Sequence, residues 1–114
     1  MRIEDYGFGR ITIDGETYGK DVLVLPPRVI SPWWRREGHR LEIDDLGEVV
    51  AYAPRILVVG TGAYGVMRVP DQTLSRLEAA GIEVEVLPSG EAVRRFNEWF
   101  EAQGTVAAAI HLTC

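Results

Sequence analysis

Ile56-Leu57-Val58-Val59-Gly60-Thr61-Gly62-Ala63-Tyr64-Gly65 is the stretch that decides the fold. A continuous apolar run of strand length fits a strand buried on both faces, as in a parallel sheet covered by helices. It ends in a glycine-rich loop. Beyond the loop, Val66 to Val69 reads as a short extended piece closed by Pro70. A helix is predicted from Asp71 to Ala80, with Leu74 and Leu77 facing inward and Gly81 as its stop. Ile82 to Leu87 alternates as a strand does. Ser89 then caps a helix running to about Gln103, with Val93, Phe96 and Phe100 on one face. Val106 to Ile110 is a last buried strand.

Upstream, Leu46, Val49, Val50 and Ala53 form an apolar stripe at helical spacing. Asp44 or Asp45 caps its start and Pro54 ends it. The order after residue 44 is therefore α-β-α-β-α-β, which implies right-handed crossovers and a parallel core. Arg28 to Arg40 is irregular. Before it, Asp14-Gly15 between Arg10–Ile13 and Glu16–Tyr18 is a hairpin signal. Asp21 to Leu25, stopped by Pro26-Pro27, joins that hairpin in an N-terminal antiparallel unit. The residues thus predict an α/β layered domain with an N-terminal β extension.

With 114 residues, residues 1–114 make one domain with a core that needs no staple. Twelve basic against seventeen acidic residues give a net charge of −5. That balance argues against a nucleic-acid or anionic-membrane binder. Cys114, the single cysteine, cannot form an internal disulfide, which predicts a reducing compartment. Met1 to Arg10 lacks the apolar segment of a signal peptide, and no run is long enough to span a bilayer, so a cytoplasmic protein is expected.

Three constellations could carry chemistry. Gly60-Thr61-Gly62-Ala63-Tyr64-Gly65 spells G-x-G-x-x-G after a strand, but no helix start follows and no acid closes the next strand, so a nicotinamide cofactor is not expected. The loop remains a candidate anion nest, with Gly60, Thr61, Gly62 and Arg68 as its residues and Asn97 or His111 nearby. Pro32 to Arg40 interleaves arginines with Trp33 and Trp34, the residue types that dominate protein interfaces, which makes Trp34 and Arg35 candidate contacts to a partner. His111-x-x-Cys114 offers two ligands, too few for a structural zinc, so no metal is expected. No acid, base and nucleophile fall into a coherent set.

Four stretches in order resemble a known family: Tyr6-Gly7-x-Gly9 with its hairpin, Trp34-Arg35-x-x-Gly38, Leu57-Val58-Val59-Gly60-x-Gly62 with Arg68-Val69-Pro70, and Phe96-Asn97 followed by His111-x-Thr113-Cys114. The family is a small domain of largely unknown function shared by archaea, bacteria and eukaryotes. Its human members are the adipogenesis-associated cytosolic protein and a mitochondrial complex I assembly factor. The resemblance implies a three-layer α/β domain with a central mixed, mostly parallel sheet, an antiparallel strand within it, and an added N-terminal β layer. It implies no established enzymatic activity, and action through other proteins. Phe96 stands where relatives more often carry tyrosine, and His39 lies in a loop that varies among them.

The expected function is therefore a non-catalytic protein-interaction or assembly module with an unidentified protein partner. The alternative is a small-anion or metabolite binder, and so an enzyme candidate, at the glycine loop. Base rates leave a homodimer open.

Overall fold

The computed structural model describes residues 1–102 and 104–114. Five strands form the central sheet: β4 (Val22–Leu25), β5 (Arg28–Ile30), β6 (Ile56–Thr61), β7 (Glu83–Leu87) and β8 (Val106–His111). Their order is β5-β4-β8-β6-β7. β6 pairs parallel with both β7 and β8, while β4 pairs antiparallel with β8 and with β5. β1 (Ile3–Gly7), β2 (Arg10–Ile13) and β3 (Glu16–Tyr18) form a separate antiparallel sheet. A short 3-10 turn (Ile43–Leu46) leads into α1 (Gly47–Tyr52), followed by α2 (Asp71–Ala79) and α3 (Ser89–Glu101).

The period of two along β6 and β8 divides the core. Ile56, Val58, Val106, Ala108 and Ile110 point to one face, where α3 packs through Val93 and Phe96 beside Ile3, Ile11 and Ile13. Leu57, Val59, Ala107 and Ala109 point to the other, against Leu46, Val49 and Leu77. Helices and the small sheet thus cover both faces, giving three layers. Alanines in the middle of β8 keep that central strand thin, so both outer layers approach it closely.

Several expectations change. Asp21–Leu25 does not join the N-terminal unit. All four residues of β4 are buried, which suits an inner strand and not a hairpin extension. β1 had no periodic signal, because Ile3 is its single fully buried residue. Val50 is exposed and Ala53 turns left-handed at φ 55°. A 3-10 turn has three residues per turn, so the 3.6-residue stripe does not carry through it. Val66–Val69 forms no strand and contributes one bridge, Arg40 to Arg68. The end predicted for α3 at Gln103 lies outside the described residues. Ser89 does not cap α3. Pro88 occupies the cap position, and the Ser89 hydroxyl bonds across the sheet edge instead.

Candidate functional site

The carboxyl ends of β6 and β8 lie side by side, with Thr61 opposite His111. The chain leaves β6 through α2 on one face to reach β7, and returns through α3 on the other face to β8. Such a switch point is where open α/β sheets hold ligands. Here the crevice is filled from within. The amides of Ala63 and Val66 donate to the carbonyls of Thr113 (2.6 Å) and Cys114 (2.9 Å). Gly62 N–H donates to Ser89 Oγ at 2.9 Å, and Ser89 Oγ donates to the His111 carbonyl at 2.6 Å. A Cβ on Gly62, at φ +106°, would overlap the Cys114 carbonyl carbon, and one on Gly60 would stand 2.7 Å from Ser89 Oγ. The glycines are there for close packing.

That arrangement moves the candidate site. The amides of Gly62, Ala63, Gly65, Val66 and Met67 all donate to acceptors within the chain, which leaves the glycine loop without the run of adjacent free amides that a nest needs. Thr61 gives its hydroxyl to the Leu87 carbonyl. Arg68 uses its backbone, taking the His39 carbonyl at 2.8 Å and receiving Leu41 N–H at 2.9 Å, while its side chain lies exposed. Asn97 does not reach the loop. Its carboxamide clamps β1, accepting from Ile3 N–H at 2.9 Å and donating to the Ile3 carbonyl at 2.8 Å.

Trp34, Arg35 and His111 do come together, around a residue that sequence reasoning missed. The register of β4 on β8 sets Val22 opposite Ile110, so the next residue outward, Asp21, faces His111. His111 Nδ1 lies 2.8 Å from Asp21 Oδ2, and Leu112 N–H donates to Asp21 Oδ1 at 2.8 Å. Arg35 Nη1 lies 2.9 Å from the same Oδ2, and the Arg35 side chain is only 4% exposed. The Nη1 hydrogens are not aligned on that oxygen, which leaves a buried donor without a hydrogen-bond acceptor. Arg35 Nε and Nη2 donate to the Gly38 carbonyl at 3.2 and 2.7 Å, and its guanidinium stacks 4.8 Å from the Trp33 ring centre. Trp33 is anchored in turn: its amide donates to the Asp21 carbonyl and its indole N–H to the Asp45 carbonyl.

Donor chemistry orders this cluster. An arginine only donates and an ionised carboxylate only accepts. Burial pushes the Asp21 carboxyl up. Hydrogen bonds from His111 and Leu112, the nearby imidazole and Arg35 outweigh it, so the net shift is below the ordinary carboxylate value. Asp21 is thus held ionised, and Nδ1–H of His111 donates to it. The 3.1 Å approach of Arg35 Nη2 to Nδ1 is close packing beside that bond. In the neutral ring Nε2 is left as an acceptor, with Thr113 Oγ1 3.5 Å away, too far for a strong bond. His39 packs edge-on against the His111 ring at 5.8 Å.

A cavity of roughly 270 Å³ opens beside this cluster, lined by Lys20, Asp21, Trp33, Trp34, Arg35, His111 and Thr113 among others. A larger hollow of about 520 Å³ lies between β7 and α3, but Arg95 there pairs with Glu85 at 2.8 Å and Glu98 at 2.9 Å, so its central charges satisfy each other. Among the described residues no group of three or more His, Cys, Asp or Glu side chains could hold a metal. No helix among them is long and apolar enough to cross a membrane. Asp21 carried no local signal and Ser89 only that of a helix cap, since each acquires its role through a strand pairing or packing contact made far along the chain.

The architecture is a three-layer α/β domain with a mixed sheet and an N-terminal antiparallel layer. The chain belongs to the family described as "Protein of unknown function (DUF498/DUF598)", whose model matches residues 3–111. Among solved structures it is similar to the conserved hypothetical protein PH1505 from Pyrococcus horikoshii OT3, at 28% identity and a TM-score of 0.84, covering 100% of both chains. It is also similar to the Rpa2829 protein from Rhodopseudomonas palustris, at 28% identity and a TM-score of 0.78, over 96% of this chain and 81% of that one. A Bordetella pertussis protein described as a Mth938-like domain shares the fold at 19% identity and a TM-score of 0.78, over 97% of this chain and 85% of that one.

Proposed function

We propose that the chain is a non-catalytic protein-interaction module of the assembly or regulatory kind, which docks a partner through the carboxyl edge of its sheet. One observation carries this reading. Trp34 (74% exposed), Tyr64 (77%) and Phe8 (59%) are three of its largest exposed apolar side chains, and all three flank residues 112–114. Trp34 lines the cavity with Leu112 and Thr113. Tyr64 stands in the loop bonded to Thr113 and Cys114, and Phe8 packs on it at 6.1 Å next to Gly9, whose amide donates to the Leu112 carbonyl. Exposed aromatics gathered at one end, over a rigid backbone, are the anatomy of an interface hot spot. The loop that presents Trp34 is immobilised by the buried Arg35–Asp21 pair, which lowers the entropy lost on docking. The resemblance to the human adipogenesis-associated protein and the complex I assembly factor supports the same class of function.

Site-specific cross-linking tests it. A photoreactive residue at position 64 should trap one protein in the cells of origin, and the same residue at position 50, exposed on α1, should not. Equal trapping from both positions would overturn the reading.

A further inference from the structure

The cavity behind Trp34 has a chemistry of its own, and we propose that it is a recognition site for a single carboxylate group. This deepens the docking reading by naming the group received at that edge. Lys20 and Arg35 set two cations against one carboxylate, Asp21, in the cavity lining. Both oxygens of Asp21 are already engaged, by Leu112 N–H and by His111 with Arg35, so Asp21 cannot also neutralise Lys20. None of the ion pairs among the described residues uses Lys20. Lys20 thus adds to the lining a cation that no carboxylate among the described residues pairs.

Thr113 offers the same group a neutral donor. His111 Nε2 and Thr113 Oγ1 stand 3.5 Å apart, so each keeps most of its hydrogen-bonding capacity. The Thr113 hydroxyl can donate to an incoming oxygen. Trp34 supplies an exposed planar wall beside this polar floor. At roughly 270 Å³ the space falls just below the range of about 300–1,000 Å³ that ligand pockets span, so it takes a small acid or one side chain and excludes a nucleotide. The carboxylate has two sources: a free organic acid, or an aspartate or glutamate of a docked protein.

Amide-detected NMR titration of the full chain distinguishes them. Benzoate is the first probe, benzamide its uncharged counterpart, and a blocked peptide with one central glutamate the second. Saturation by benzoate with a Kd on the order of 1 mM or below, with shifts confined to Lys20, Arg35, His111 and Thr113, supports the site and a free-acid source. Saturation by the peptide alone supports the site with a protein source. Lys20 is exposed, so Lys20→Gln should fold normally and weaken either ligand by about 5-fold. No saturation by either probe, equal binding of benzamide, or unchanged affinity in Lys20→Gln would overturn the proposal. Cross-linking from position 64 does not depend on the cavity, so the docking reading stands or falls separately.

Discussion

Asp21 Oδ2 accepts the Nδ1 proton of His111 across 2.8 Å, joining residues 90 positions apart at the carboxyl edge of the sheet. The same oxygen faces the buried Arg35 guanidinium, so one carboxylate holds both the end of β8 and the loop that carries Trp34. The aromatic edge is therefore built on a charge cluster, and the cluster can be taken apart.

Asp21→Asn should destabilise the fold by about 3–5 kcal/mol, because it leaves the Arg35 charge buried and uncompensated. The double variant Asp21→Asn, Arg35→Met should recover much of that loss, since it removes the stranded charge as well. Urea unfolding of the three proteins measures both numbers. A double variant no more stable than the single one would show that the pair is not the source.

Acid should act through the same residue. The folded-state pKa of Asp21 is lowered, so its contribution is complete above the unfolded value of about 3.9 and is lost as pH falls through the folded value. Glu85 is shifted in the same direction by its bonds from Arg95 and adds to the loss. Unfolding free energy should therefore fall with acidification below about pH 5. Asp21→Asn should show a shallower slope over that window while keeping the part due to Glu85. Parallel slopes would contradict the assignment.

How far the sequence reveals this arrangement depends on how local each signal is. β6 and β8 are legible because an apolar run buried on both faces needs no partner to be recognised. Asp14-Gly15 is legible because a two-residue turn carries its own chemistry. Trp34 and Arg35 are visible by residue type as one candidate contact surface, and His111 as a member of separate hypotheses. What joins them is the antiparallel pairing of β4 with β8, and no local pattern states which distant strand Val22–Leu25 will meet. Ser89 misleads for the same reason, since a serine after Pro88 reads as a cap until the His111 carbonyl arrives beside it. Asn97 stands out by residue type but its role as a clamp has no signal, because its partner is backbone and any residue at position 3 presents the same N–H and carbonyl.

The Asn97 clamp makes its own prediction. Asn97→Ala removes both bonds to Ile3 and leaves a buried N–H and carbonyl, at a cost of about 1–3 kcal/mol for each group left unpaired. Hydrogen exchange should show the Ile3 amide losing protection while the amides of β6 and β8 change only with global stability. Retained protection at Ile3 would mean that α3 does not hold β1 through this side chain.

Gly62→Ala tests the filled crevice. The new methyl would meet the Cys114 carbonyl carbon at a backbone angle that alanine rarely adopts. A loss on the order of 1–3 kcal/mol is expected, with faster exchange at the Ala63 and Val66 amides that hold residues 113 and 114. An unperturbed variant would show that the crevice is open enough to admit a ligand.

The central claim is that Trp34 anchors a protein partner at this edge. Native mass spectrometry of the chain recovered gently from its own cells, as wild type and as Trp34→Ala, tests it most directly. The account predicts a protein bound at fixed stoichiometry to the wild type and absent from Trp34→Ala, with the melting temperature of the two within a few degrees. A partner retained at the same stoichiometry on Trp34→Ala, or a wild-type chain that carries none, would contradict it.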